Sequence, residues 1–331
     1  MDPTTSVRES TARVAKQAEH VTIHQESVVA LAEKLEKVYL GQKEAIHDQI
    51  AWDFGDVHFY DDAKDEGPLT CQYVFVLDAL NFCFWPTPDM EYEHLARGLK
   101  NALRDDPHIF DADRLANVTP ETLVSWFAPF TPPQIDERVR KMQELGAGLK
   151  RFFGGLARNV IEQANYSAVE LIRLVLAHFP GFQDHAVYNG EQVFLYKRVQ
   201  ILVGDLWAAY GRKQVILSDS STHSLCGFYD IDKLTMFADY RVPQVLRPEG
   251  VLQYSQVLDR IIECKQQIPS GSKMEIEVRA CTIQAVEQLH KHLIEKGHQI
   301  KVIELDWLLW QIGENNKSHL PNHHRTLSIF Y

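Results

Sequence analysis

The stretch VRKMQELGAGLKRFFGGL, residues 139–156, sets Val139, Met142, Leu145, Leu149, Phe152, Phe153 and Leu156 at intervals of three and four. That period winds apolar side chains onto one side of an α-helix and predicts a core-facing stripe. Gly146, Gly148, Gly154 and Gly155 within it do not make a phosphate loop, since no strand precedes them and no Gly-Lys-Ser/Thr follows. They are read as permitting close helix packing.

The same period recurs outward in both directions. Between residues 26 and 40, Val28, Leu31, Leu35 and Val38 alternate with Glu33, Lys34, Glu36 and Lys37. Thr119-Pro120-Glu121 is a helix start leading into Leu123, Trp126 and Phe127, and Pro132-Pro133 closes that region. Ser167-Ala168-Val169-Glu170 is a capping box for a helix that stops at Phe179, before Pro180. Residues 196–210 repeat through Val199, Leu202, Val203 and Leu206, with the charges of Lys197, Arg198 and Asp205 facing solvent on the simplest reading. Ser272-Lys273-Met274-Glu275 opens another helix through Ile276, Ile283, Val286, Leu289 and Leu293, although residues 274–279 also alternate like a strand. Against these helices stands one hairpin signal, Asn189-Gly190 inside residues 187–194, expected to be the main sheet element. The expectation is a mainly α fold: a single compact helical domain over residues 7–331 with a small β-hairpin, preceded by a loose tail at residues 1–6.

Composition narrows the function classes. A chain of 331 residues with 45% hydrophobic content can bury a large core. A net charge of -11 argues against stable nucleic-acid binding, which depends on clustered Lys and Arg. Cys71, Cys83, Cys226, Cys264 and Cys281 are odd in number and lack metal-ligand spacing, so they are read as reduced buried thiols in a cytoplasmic protein. No apolar run approaches a membrane span, so no membrane association is expected.

Chemistry-bearing residues crowd in TMFADYRVPQVL, residues 235–246, where Asp239 stands between Phe237 and Tyr240 with Arg241 and Pro243 behind. A helix starting just after Asp239 puts Pro243 in its first turn and Asp239 at its N-terminus. There a carboxylate can cap the helix or face a developing positive charge, and motif shape alone favours the cap. Asp306, Trp307 and Trp310 are a second acid among aromatics. In residues 73–85, Asp78 and Asn81 are polar exceptions in an apolar run and are read as structural support. Residues 52–70, with Asp53, Asp56, Asp61, Asp62, Asp65, Glu66, Gly55, Gly67 and Pro68, read as loop. His323-His324-Arg325 has no third ligand at usable spacing, so no metal site is expected.

MFADYRVPQVL, together with YVFVLDALNFCFW at 73–85, YKRVQILVGDLW at 196–207 and ELDWLLW at 304–310, closely resembles the queuosine salvage proteins. The resemblance runs collinearly over nearly the whole chain. It implies a queuosine 5'-phosphate N-glycosylase/hydrolase that releases queuine and ribose 5-phosphate, acting on a small-molecule nucleotide and needing no cofactor. It implies Asp239 as the catalytic carboxylate and His58 as a base contact. Phe237 and Trp307 are then stacking surfaces, Asp306 a hydrogen-bonding partner of the base, and Lys197 or Arg198 the phosphate cation. At Gln311 the family pattern has an acid and this chain an amide, which weakens a charge contact to the base's amine. A fainter likeness, in fold and in an Asp preceding a helix, is to the helix-hairpin-helix DNA glycosylases. The alternative function is a non-catalytic helical protein holding a nucleotide or partner in the same pocket.

Overall fold

The structure, a computed structural model, describes residues 2–40, 56–61, 68–212, 217–218 and 224–331. Of the acidic loop, Asp53, Gly55, Asp62, Asp65, Glu66 and Gly67 lie outside the described residues. Fourteen α-helices are found among the described residues. From the N-terminus they begin with α1 (Pro3–Gln17), α2 (Gln25–Leu35), α3 (Pro68–Leu80), α4 (Tyr92–Asp105) and α5 (Ala112–Ala116). Then follow α6 (Pro120–Ser125), α7 (Ile135–Phe153), α8 (Ala157–Gln163), α9 (Ala168–His178) and α10 (Lys197–Ala209). The last four are α11 (Arg241–Leu246), α12 (Gln256–Glu263), α13 (Lys273–Glu295) and α14 (Val302–Asn315). The mainly α expectation holds.

The stripe at 139–156 forms α7, which Gly154 ends at a φ of 60°, a conformation glycine adopts without a Cβ clash. Phe152 and Leu156 depart from the stripe: both are exposed. Gly146 and Gly148 do serve close packing. A Cβ at Gly148 would lie 2.6 Å from a Phe179 ring carbon, and one at Gly146 would lie 2.5 Å from the Ala112 carbonyl oxygen. The N-terminal tail is a correction. Asp2 Oδ1 accepts the Thr4 N–H at 2.9 Å, Pro3 opens α1, and Pro3, Thr4 and Ser6 are buried, so residues 3–6 are a capped helical turn. Pro68 and Thr70, read as loop, belong to α3, whose first turn Asp61 caps through the Leu69 and Thr70 N–H groups at 3.3 and 3.2 Å. In α2 the stripe stops at Leu35, and Val38 is exposed in a following π-helical turn.

Asn189-Gly190 does turn a hairpin, with positive φ of 49° and 84° joining β2 (His185–Tyr188) to β3 (Glu191–Phe194). A second antiparallel pair of the same strand number was not foreseen: β1 (Val21–Ile23) runs against β4 (Leu252–Tyr254). Residues 274–279 are helical, and Glu275, Glu277 and Arg279 are buried, which explains their strand-like alternation. The cysteines are all free, but Cys264 is exposed. No helix among the described residues is long and apolar enough to cross a membrane.

Two apolar cores divide the interior. One gathers α3 through α10; the other gathers α1, α2 and α11 through α14, and both touch Tyr196 and Trp307. The segment leading to α11 runs along this seam. Met236 and Ala238 enter one core, Leu234 and Phe237 the other. From Met236 to Ala238 successive side chains alternate between the two cores, and the chain then delivers Asp239 at the boundary.

Candidate active site

Hydrogen bonds with α10, α14, α13 and α11 fix the segment at 235–239. Gln200 Oε1, from α10, accepts the Thr235 N–H at 2.8 Å. Asp306 Oδ1, from α14, accepts the Phe237 N–H at 3.0 Å. Arg279 Nε, from α13, donates to the Ala238 carbonyl at 3.0 Å. Asp239 Oδ1 then accepts the N–H groups of Arg241 and Val242, both at 3.0 Å, and so caps α11. Oδ2 has no hydrogen-bond partner among the described residues and opens onto a cavity that Asp239 lines. The carboxyl is thus both cap and cavity group.

That cavity, about 300 Å³, lies on the seam. Its walls bring together His58, Lys197, Phe237, Asp239, Asp306, Trp307 and Gln311; Arg198, the other candidate phosphate cation, is not among them. Helix α10 supplies Lys197, Ile201, Asp205 and Ala208, spaced by four, four and three, and therefore one helical face. Helix α14 supplies Asp306, Trp307, Trp310, Gln311 and Glu314 in the same manner. Phe237 and Trp307 set their rings 6.4 Å apart, and Trp207 stacks behind Trp307 at 6.3 Å. His58 Nε2 hydrogen-bonds the Tyr92 hydroxyl at 2.9 Å on the opposite wall.

The solvent-facing reading of α10 is corrected: Lys197, Arg198 and Asp205 are all buried. Arg198 is committed to the backbone, donating to the Ala79 carbonyl at 2.7 Å and to the Gly181 carbonyl. Lys197 Nζ donates to the Asn81 carbonyl at 3.3 Å and is the only Lys or Arg side chain on the cavity wall among the described residues. Asp78 accepts from Asn81 Nδ2 at 3.2 Å, in keeping with a supporting role. Gln311 donates to Asn315 Oδ1 at 3.0 Å at the cavity mouth. His323 faces the Tyr240 ring and His324 hydrogen-bonds the Tyr331 hydroxyl at 3.1 Å, so the two histidines point to different partners. Among the described residues no group of three His, Cys, Asp or Glu side chains is placed to hold a metal ion.

Burial raises Asp205, Asp239, Asp306 and Glu314, to different extents. Asp306 is held well above the ordinary carboxylate range by burial and then by the charge of Asp239. Asp205 is likewise well above it, through burial and Asp78. Asp239 is raised by burial, but the Val242 N–H, Lys197 and Arg241 oppose the shift. Burial pulls Lys197 down, and Asp239, Asp78 and Asp205 support its charge. Lys197 and Asp239 therefore stabilise each other's ionised forms.

Asp205, Tyr92, Glu314 and Tyr331 also line the cavity without having been read as site residues, and so does Tyr240, which the sequence set beside Asp239 without a role. For Asp205 a signal existed, eight residues after Lys197 on one helical face. For Tyr331, brought in from beyond the last helix, no local pattern did.

A sequence model described as queuosine salvage protein matches residues 60–331. A queuosine 5'-phosphate N-glycosylase/hydrolase of Dictyostelium discoideum is 45% identical, the match covering 100% of both chains. A protein of the same name from Sphaerobacter thermophilus is 37% identical over 97% of this chain and 96% of its own, and one from Mus musculus is 31% identical over 100% of both. With the family match extending over most of its length and relatives aligning end to end, the chain belongs to the queuosine salvage protein family.

Proposed function

We propose that this protein hydrolyses the N-glycosidic bond of queuosine 5'-phosphate, releasing queuine for tRNA modification and ribose 5-phosphate. The observation that carries this reading is Asp239, with one oxygen fixed by two backbone N–H groups and the other open to an aromatic-walled cavity. As the bond from the anomeric carbon to the base nitrogen lengthens, positive charge builds on the ribose, and a fixed carboxylate stabilises it at the moment it forms. Water then bonds to the anomeric carbon; one of its protons ends on the departing base and the hydroxyl stays on the sugar.

The remaining residues serve binding and departure. The deazaguanine has no N7 to protonate, so negative charge on the leaving base is relieved along its other edges. Asp306 suits this: one oxygen is occupied by the Phe237 N–H, and burial, which raises its pKa, favours the protonated carboxyl that can donate. His58, held by Tyr92, is the second base contact. Phe237 and Trp307 stack on the ring, Gln311 lies near the side-arm amine, and Lys197 supplies positive charge toward the 5'-phosphate. The scheme calls for no cofactor. A net charge of -11 disfavours stable nucleic-acid binding, and the free cysteines fit a cytoplasmic enzyme.

Purified protein incubated with queuosine 5'-phosphate should release free queuine and ribose 5-phosphate in equal amounts, read by liquid chromatography and mass spectrometry. Tight binding of the nucleotide with no release would favour the non-catalytic binding protein. Duplex DNA binding at moderate salt would oppose the small-molecule reading.

A further inference from the structure

Asp205 has no part in the scheme above, yet it is built into the same cavity. It is 4% exposed, and no hydrogen bond or ion pair reaches its carboxyl from any described residue. The other acids of the wall all have partners. Asp306 holds one N–H and Asp239 two, Glu314 binds Arg241 at 2.7 Å, Glu91 lies 3.6 Å from Lys317, and Glu93 lies 3.8 Å from Arg97. A buried carboxyl stripped of water and given nothing in return is costly, and native interiors rarely leave one so. Neither Asp205 oxygen is sealed off, so the cavity is where its partner enters.

The shape of the site says which part of a ligand arrives there. Glu91, Gln311 and Glu314 are half-buried and Glu93 is exposed, so the wet, acidic mouth suits the amine-bearing side arm, while the phosphate goes to Lys197. The flat ring belongs inward against Phe237 and Trp307, and it leads with its edge. A guanine-type edge carries two parallel donors, the ring N1–H and the exocyclic amine, spaced to match the two oxygens of one carboxylate. We propose that Asp205 reads the base, accepting the ring N1–H and the exocyclic amine of a guanine-type heterocycle. The assignment rests on the deazaguanine nucleotide reading given above. Without a ligand, burial and Asp78 hold the Asp205 pKa well above the ordinary carboxylate range; Lys197, on the same helical face, opposes that shift, and the two donors of the base favour the ionised carboxylate once they are in place.

Calorimetric binding of queuine, and of queuine with its exocyclic amine replaced by hydrogen, tests this in the wild type and in Asp205→Asn. The wild type should prefer queuine by about 10- to 100-fold, the range for leaving one buried hydrogen-bonding group unpaired. Asp205→Asn should bind queuine more weakly and lose most of that preference. Its Tm should hold or rise, since an unpartnered buried carboxylate is removed. A purely structural Asp205 would give the reverse, a lower Tm with the preference intact, and would overturn the assignment. So would a wild type that binds both bases equally, whatever the variant does. A wild type that binds neither base would instead bring down the substrate reading, and this assignment with it.

Discussion

Replacing Asp239 by Asn separates its two duties, because the structure divides them between its two oxygens. Oδ1 takes the Arg241 and Val242 N–H groups at 3.0 Å each, and an amide oxygen in the same place takes both. Asn ranks with Asp as a helix cap, so stability should change by less than ~0.5 kcal/mol. The second oxygen is different. In its position the variant presents an NH2 group, whose positive end faces the carbon where positive charge develops. Loss of one fixed electrostatic group of this kind lowers kcat by about 100- to 1,000-fold, or roughly 2.7–4 kcal/mol in the barrier. Queuine binding should survive, since the charge acts on the transition state and not on the free base. The wild-type acid limb should vanish as well: Asp239 acts ionised, its pKa lies above the ordinary value, and activity falls as pH drops through it. The measurements are kcat at saturating queuosine 5'-phosphate, calorimetric queuine binding and thermal melting. A folded variant turning over at near the wild-type rate would refute the reasoning, reduce Asp239 to a cap and leave Asp306 as the next candidate.

Three further outcomes follow from the buried charges. Lys197→Ala should raise KM for the phosphorylated substrate and narrow its advantage over the nucleoside; because Lys197 also holds the Asp239 pKa down, the acid limb of kcat should move to higher pH. Unchanged constants for both substrates would move the phosphate contact to the neighbouring hollow lined by Arg241, Lys317 and Arg325. Asp78 has its pKa raised to about 7 by burial, so the folded state holds that proton more tightly than the unfolded chain does. Stability should therefore fall as pH rises from about 4 to about 7, and Asp78→Asn should raise Tm more at pH 8 than at pH 5; equal gains would contradict it. Arg279→Leu leaves Asp184 and Glu275 buried without their counter-charge and the Ala238 carbonyl without its donor, and should lower the unfolding free energy in urea by roughly 3–5 kcal/mol. A loss below about 1 kcal/mol would mean the ion pair does not hold the segment before Asp239.

The helices were legible because a period of three and four residues is a local property, and α7, α9 and α13 are long enough to display it. What that period does not report is whether the polar face meets water. In α10 every residue but Ile201 is buried, so the charges that read as a wet face are in fact a second interior face. The strand-like alternation at 274–279 has the same origin, in Glu275, Glu277 and Arg279 buried between apolar neighbours. Helix α1 is a different failure. Asp2 and Pro3 are themselves a cap and a first-turn proline, and a short polar opening concealed them. The β1–β4 pair was beyond any local reading, with three residues per strand and partners such as Val21 and Tyr254 far apart in the chain.

The site was legible in part for a related reason. Two short segments, at 235–246 and 304–310, each crowd an acid with aromatic rings, and the fold sets them against each other through the Asp306 bond to the Phe237 N–H. The seam that joins them rests on buried polar contacts between distant elements, Gln200 with Thr235 and Arg279 with Ala238, and no window of sequence contains such a pair. Asp205 was within reach, since a helix that turns Lys197 to the cavity must also turn the residues four and eight places on. What sequence cannot express is how three residues of one type come to differ. Asp239 receives two backbone N–H groups and is the least raised of the three, Asp306 receives one and is held well above the ordinary range, and Asp205, likewise well above it, receives none. On the proposed reading, these differences in burial, neighbouring charge and backbone donors would suit the three to a carboxylate for the sugar, an acid for the leaving base and an acceptor for the base edge.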